Sequence, residues 1–599
     1  MKKEFNPVEY YKNKIAALEG DLKILYNRRS AIAWARFAIF LAICVAIYFL
    51  WGTGLLMVMV SIACGIIAFL FVVSKDADNK TAIKNLETLI AINKDETGYL
   101  HQSYHHKYNG KDLEPAHHPY AKDLDIFGQA SLFQYINRCN AEQGIQLLAV
   151  RLLQPLSNEK IIEQQKAVKT LSFKMDWLQQ FNAYGIMEKI TSDAETRINT
   201  WLEQKDNFFN KKIWELLLYI YPVITLGCFF LFLIDVIPTS VFSLLLLLFF
   251  GIAFLISGKI QKTYTLLSQL VPVVSTLYKQ LNWFEKEKFE DDFLCGMQHP
   301  DSPAGTASSS IKSLQNVLER FDVRLNVFAF FILNTFLLWD LWQVMTLNKW
   351  KTNHKASATN WFDTIAQLEV ISSFAVLYFN NPAWSFPLIA EEHFTLSGKN
   401  IGHPLISKQQ RVNNDFSVNG TAKIDLITGS NMAGKSTFLR SIGVNMILAY
   451  TGSCVCAESF TVSIAQLMSS MRIEDNLAEN TSTFYAELKK LKLIIDAVNK
   501  KERAFILLDE ILRGTNSLDR HTGSEALIQQ LVHHDAVAII ATHDIELSKL
   551  ENDFQESIEN YHFDVQVSGD KLFFDYKLKH GICRSMNASI LMRQIGIEM

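Results

Sequence analysis

The nine residues Gly429-Ser430-Asn431-Met432-Ala433-Gly434-Lys435-Ser436-Thr437 fit G-x-x-x-x-G-K-[ST], and no other feature of the chain restricts its fold as tightly. They follow a mostly apolar, strand-like run, Ile424 to Ile427, and open a helix-like run, Phe438 to Tyr450. Strand, glycine-containing turn and helix in that order make a cradle for phosphate. The glycines let the backbone wrap the ligand, and N–H groups at the helix start meet its negative charge. In such a cradle Lys435 reaches the β- and γ-phosphates and the Ser436 hydroxyl ligates Mg²⁺, so ATP and Mg²⁺ are the expected ligands.

Two further runs supply partners for this loop. Phe505-Ile506-Leu507-Leu508 is short and apolar and ends in Asp509-Glu510. It reads as a buried strand that delivers two acids to its carboxyl edge. Asp509 is then placed to hold Mg²⁺ through water, and Glu510 to orient or deprotonate the attacking water. A third strand-like run, Ala536 to Ala541, ends in Thr542-His543-Asp544. A histidine at that edge is placed to sense the γ-phosphate.

GSNMAGKST, then LLDEILRGTNSLD, then ATHDIEL closely resemble the ATPase domain of the MutS mismatch-repair family. Asn431 and Met432 match the family pattern inside the loop. Glu479 to Phe484 is similar to a family segment that reaches across a dimer. That resemblance implies that Ser482 touches the γ-phosphate held by the other subunit; the residue also suits a helix N-cap before Phe484 to Leu493. Upstream the likeness is weaker. Ser131 to Phe133, Asn140, Gly144 and Gln154-Pro155-Leu156 look like the start of the family's core domain. Trp361 to Ala375, Phe386-Pro387 and Gly402 to Leu405 look like the stretch joining core to ATPase. Two departures stand out. The family's mismatch-reading domain is expected to have no counterpart, with no Phe-x-Glu in a comparable place; Phe554-Gln555-Glu556 has the letters but lies beyond the ATPase motifs and reads as a polar surface stretch. The second departure is the membrane.

Of 599 residues, 49% are hydrophobic and only 20% charged, with a mean hydropathy of +0.09. This is apolar for a soluble ATPase. The excess is concentrated in Ala31 to Trp51, Leu55 to Val73, Leu216 to Ile234 and Val241 to Ser257. Each is about the length a helix needs to cross a bilayer, and each pair is joined by a short turn. Two transmembrane helical hairpins follow. Lys and Arg flank the open ends of both hairpins and are absent from the closed loops. The positive-inside rule therefore puts the N-terminus and the ATPase domain on the cytoplasmic side of the inner membrane.

Leu325 to Val344 is also apolar, but Asn326, Asn334, Asp340 and Gln343 interrupt it. An Asp at a span centre costs about 2.5–3.5 kcal/mol on insertion scales, so this stretch reads as a buried or interfacial helix of the core. The histidines between His101 and His118 lack a second ligand set at fixed spacing and read as a solvated loop. The eight cysteines form no framework and suit a reducing compartment. With a net charge of −3 and no long basic run, nothing in the composition indicates a DNA-binding face. Lys489, Lys490 and Lys492 read as a solvated helix face. Double-stranded or branched DNA as a partner rests on the resemblance alone.

The expected fold is an α/β P-loop NTPase domain of the ABC/MutS type after a mainly α-helical core, with two transmembrane hairpins. The divisions are an N-terminal helix (1–30), hairpin (31–74), core-like segment (75–212), hairpin (213–258), connector (259–405) and ATPase domain (406–599). Family resemblance implies a homodimer through the ATPase domain. Three readings stay open: a membrane-anchored MutS-like ATPase acting on DNA, the same ATPase driving a membrane task without DNA, and an ABC-type transporter. The last lacks an LSGGQ-type signature between the phosphate loop and Asp509.

Overall fold

Helix-period apolar runs dominate the first 380 positions, and strand-like runs begin only after them. The computed structural model describes residues 5–52, 54–204, 212–298, 306–358, 360–430, 433–472, 483–568 and 571–583. Helices α1 (Pro7–Leu50) and α2 (Leu55–Leu100) pack along each other as a hairpin. At 1.5 Å per residue each is roughly 65–70 Å long, about twice the hydrocarbon thickness of a bilayer. The divisions read at 30/31 and 74/75 thus fall inside continuous helices. Near the closed end Trp34, Phe40, Phe49 and Phe71 point outward and are exposed. Near the open end the pair is rooted in protein, with Tyr10 and Lys14 donating to Asp176 at 2.9 and 2.8 Å. Arg36 meets Asp76 at 3.2 Å where the two regimes join, which gives the cation beside the first apolar run its partner.

Five helices follow: α3 (Leu132–Ile136), α4 (Glu142–Leu153), α5 (Asn158–Ser172), α6 (Met175–Met187) and α7 (Ser192–Glu203). A second apolar hairpin comes next, α8 (Lys212–Leu233) and α9 (Thr239–Leu267). Then come α10 (Val271–Lys286), α11 (Asp292–Gln298), α12 (Ala307–Phe321), α13 (Val327–Leu337), α14 (Trp339–Ala358) and α15 (Asn360–Asn380). By length and composition α1, α2, α8, α9 and α15 could each cross a membrane. Only α15 has its apolar window mostly buried, and it packs against α4, α5, α6 and α10. A helix apolar all round and enclosed by others is a core helix. Within it Glu369 accepts the Asn140 and Ala141 N–H groups at 3.1 and 2.9 Å. Gly144 faces the same carboxylate, and a Cβ there would strike it.

The Leu325–Val344 stretch differs from its sequence reading. It is two helices, α13 and α14, bent by 78°. Leu338 at the break is left-handed with φ +49°. Asp340 is buried as expected, while Val327 and Phe328 are exposed.

The C-terminal part holds β1 (Leu388–Ala390), β2 (Thr395–Ile401), β3 (Asn414–Asn419), β4 (Lys423–Gly429), α16 (Lys435–Tyr450), β5 (Ser459–Ser463), β6 (Gln466–Ser470), α17 (Thr483–Asn499), β7 (Ala504–Asp509), α18 (Ser517–His533), β8 (Val537–Thr542), α19 (Leu550–Asp553), β9 (Ile558–Ser568) and β10 (Lys571–His580). A small sheet has the order β1-β5-β2-β3, and a six-stranded sheet β10-β9-β4-β8-β7-β6. In the larger sheet only β10 runs antiparallel to its neighbour. Both β7 and β8 are buried at every position, as central parallel strands covered on two faces must be. The helical core grips the far end of α16: Leu156 N–H donates to Tyr450 O at 3.1 Å and Gln164 Nε2 to Thr451 O at 2.6 Å.

Candidate functional site

Strand order places the site. Because β8 lies between β4 and β7, the carboxyl ends of three adjacent parallel strands release the Gly429–Thr437 loop, His543 and Asp509-Glu510 side by side. Open α/β sheets bind ligands at that edge. Two loop glycines carry the geometry. Gly429 and Gly434 have φ of +152° and +106°, and a Cβ at Gly434 would sit 3.1 Å from the Tyr576 ring.

Lys435 opens α16 with its side chain folded over the loop. Its Nζ donates to Gly429 O at 2.8 Å and Ser430 O at 3.1 Å, and lies 3.3 Å from His543 Nε2. Burial lowers its pKa to about 8, against the opposing pull of Glu510 and Asp509. His543 Nε2 is 2.5 Å from Glu510 Oε1. That hydrogen bond is the main cause holding the Glu510 carboxyl below its ordinary pKa, with His543 and Arg513 charges assisting. Glu510 itself is left-handed, φ +52°, a rare state for a non-glycine that recurs at functional sites.

Several groups here have the chemistry to meet a divalent cation and phosphate. Asp509 is buried, and its Oδ1 has no hydrogen-bond partner among the described residues. A buried carboxylate oxygen left unpaired is costly unless something positive meets it. Ser430 Oγ is likewise buried and without a partner among the described residues. Ser436 and Thr437, together with Ser430, Ala433, Gly434, Lys435 and Glu510, line a cavity of about 630 Å³. Its other wall is largely apolar, including Ile401, Ile406, Val412, Phe563 and Tyr576. The arrangement joins a cationic end beside the loop to a largely apolar wall.

Of the residues singled out in the sequence, the structure brings Lys435, Asp509, Glu510 and His543 together beside the loop. Asn431, Met432 and Ser482 lie outside the described residues. Sequence reasoning missed several supports. Arg513 Nε is 2.9 Å from Glu510 Oε2, and its Nη2 donates to Asp509 O at 3.3 Å. Glu487 on α17 accepts the Leu512 and Arg513 N–H groups at 2.5 and 3.2 Å, pinning the turn that carries Glu510. Arg513 sits inside the LLDEILRGTNSLD motif and was open to notice. Tyr576 had no local signal, because only the β9–β10 pairing brings it to the loop. Lys490 also departs from its reading as a solvated face, since its ammonium lies 3.0 Å from the buried Asp123.

A mixed α/β domain following a helical core, with cationic and acidic groups gathered at the carboxyl edge of its sheet, is the class these elements define. Residues 425–593 match the family model described as MutS domain V, so the C-terminal part of the chain is similar to that family. It is 30% identical over 253 residues to the DNA mismatch repair protein MutS of Thermotoga neapolitana, a match covering 41% of this chain and 30% of that protein. It is 32% identical over 236 residues to MutS protein homolog 4 of Mus musculus, covering 38% and 24%. It is 33% identical over 221 residues to the DNA mismatch repair protein MutS of Ehrlichia ruminantium, covering 36% of this chain and 27% of that protein. The matches span less than a third of the length of these relatives.

Proposed function

We propose that this chain is a membrane-anchored ATPase of the MutS type, with a P-loop nucleotide site that binds and hydrolyses Mg-ATP. The observation that carries the reading is the convergence of Lys435, Asp509, Glu510 and His543 on one edge of the parallel sheet, beside a loop with a phosphate-binding pattern. Lys435 gives up its contacts with Gly429 O and Ser430 O to hold the phosphates. Ser436 and Asp509 would hold Mg²⁺, which would neutralise charge on the transferring phosphate. Glu510, ionised and oriented by His543 and Arg513, accepts a proton from the attacking water. His543 reports on the γ-phosphate through its bond to Glu510.

Glu510→Gln is expected to bind ATP while hydrolysing it about 10²- to 10⁴-fold more slowly, the usual worth of a general base. Lys435→Ala is expected to weaken nucleotide binding by roughly 10- to 150-fold, the equivalent of about 1.5–3 kcal/mol for a charged hydrogen bond. Normal turnover by purified Glu510→Gln would refute the assignment.

Membrane anchoring rests on the two exposed apolar hairpins, α1–α2 and α8–α9, and on the lysines and arginines at their open ends. The orientation puts the N-terminus and the ATPase domain in the cytoplasm. The active form is a homodimer, with Ser482 completing the partner's site; full activity from a strictly monomeric species would contradict this. Two relatives are named for DNA mismatch repair, and duplex or branched DNA is the partner that their names suggest for this chain.

A further inference from the structure

We propose that α13 is a third membrane element: a half-span that enters the leaflet on the ATPase side of the membrane, beside the second hairpin, with acyl chains covering its outer face. The proposal rests on the reading that α8 and α9 cross the membrane.

Its eleven residues, VFAFFILNTFL, carry no charge. At 1.5 Å per residue the helix is roughly 16 Å long, about half the hydrocarbon thickness, so it can enter a bilayer but not span it. Val327, Phe328 and Ile332 are 77%, 82% and 55% exposed. Toward its carboxyl end the helix packs on the hairpin, with Phe336 against Phe229 at 5.6 Å between ring centroids, while Phe331, exposed beside Val327 and Phe328, meets Phe250 at 5.1 Å. The exposed apolar face therefore continues that of α8 and α9.

Backbone accounting separates a lipid face from a water face. A helix that stops inside hydrocarbon leaves terminal carbonyls that only protein can satisfy. At the end of α13, Tyr221 donates its hydroxyl to Thr335 O at 3.1 Å and Thr225 donates to Phe336 O at 2.7 Å. Both donors are buried residues of α8, near the middle of its apolar run. At the start, Asn326 Oδ1 accepts the Phe328 and Ala329 N–H groups at 3.1 and 3.2 Å. In water such partners are dispensable; in lipid they are required.

The return path is equally provided for. After the 78° bend, Asp340 accepts the Ser257 hydroxyl at 2.5 Å, and Arg324 Nη2 lies 3.5 Å from the same carboxylate. Arg324 also lies 4.5 Å from the Tyr264 ring centre. This paired charge sits where α9 passes from its apolar run to Lys259 and Lys262, the depth at which paired charges can meet interfacial water. Entry and exit of α13 are thus clamped at one level, as a re-entrant element requires.

The test uses full-length protein in liposomes, with Cys44, Cys64, Cys228 and Cys295 replaced by alanine. Single nitroxide labels are placed on Phe328→Cys and Ile332→Cys, with Leu244→Cys and Leu247→Cys on α9 as references. Collision rates with oxygen and with a water-soluble nickel complex are then compared. Positions 328 and 332 are expected to show high oxygen collision and loss of nickel collision, as at 244 and 247. Nickel access at 328 and 332 with protection at 244 and 247 would overturn the half-span and leave the anchor intact. Nickel access at all four would overturn the membrane reading itself. Protection from both reagents at 328 and 332 would mean that protein, such as a second copy, covers the face, and would also overturn the proposal.

Discussion

Lys435 is held by main-chain oxygens and His543 in a buried setting that lowers its pKa to about 8. A lowered lysine pKa means that the free site loses its positive charge as pH rises through about 8, while bound phosphate oxygens favour the protonated form. ATP binding in the absence of Mg²⁺ at pH 8.5 should therefore take up part of a proton, and affinity should fall as pH rises further. Titration calorimetry in two buffers of different ionisation enthalpy reads this directly; identical heats in both would contradict it. Lys435, Asp509, Glu510 and His543 were legible in the sequence because each lies in or beside a short motif at the end of an apolar run. Tyr576 was not. It reaches the loop because the β9–β10 ladder shifts register between Phe574 and Leu578, and Asn414 Nδ2 donates to its carbonyl at 3.0 Å from a strand far away in sequence.

The first hairpin is rooted in the helical core through a buried network. Arg138 makes two bonds to Glu96 on α2, at 2.8 and 2.9 Å, and stacks 3.5 Å from the Tyr99 ring centre. Asn380 at the end of α15 donates to Glu96 at 2.8 Å and accepts from Tyr11 of α1 at 2.8 Å. Breaking a buried pair from one side leaves a charge without its partner, which costs about 3–5 kcal/mol, whereas replacing both members with apolar residues can be nearly neutral. Arg138→Met is expected to lower stability by about that amount in detergent, and Arg138→Met with Glu96→Leu to recover most of it. Additive losses in thermal or denaturant unfolding would contradict this root. Apolar runs were visible in the sequence, but their true extent was not. Polar residues such as Asn79 and Asn93 continue α2 as a helix packed on protein, where hydropathy gives no signal. The α13–α14 break was hidden too, because a leucine, not a glycine, takes the left-handed turn.

At the scale of the whole molecule, the two ends of the nucleotide loop's helix belong to different systems. Lys435 begins α16 at the site, and Tyr450 and Thr451 end it against Leu156 and Gln164 of the helical core. The helix that begins beside the loop thus ends in direct contact with the part of the chain that holds the hairpins. The order of helical core and α/β domain was legible from the switch in apolar period; this junction was not, since it depends on pairings hundreds of residues apart. With a net charge of −3, any DNA affinity must come from local phosphate contacts and should fall steeply as salt rises. Matched and mismatched duplexes should bind alike in a salt-dependent filter or anisotropy assay, and a salt-resistant mismatch preference would contradict that expectation.

In the proposed reading, one chain joins a hydrolytic Mg-ATP site to a membrane-embedded anchor. Its most direct test is Mg²⁺-dependent ATP hydrolysis in membranes washed with high salt and alkaline carbonate, from cells expressing the wild-type chain or Glu510→Gln. Activity should remain in the washed membrane pellet with the wild type and disappear with Glu510→Gln if, as proposed, the hairpins insert in the bilayer, where hydrophobic burial resists both washes, and Glu510 activates the water. Release of the activity into the wash, or a pellet activity equal in the two, would contradict it.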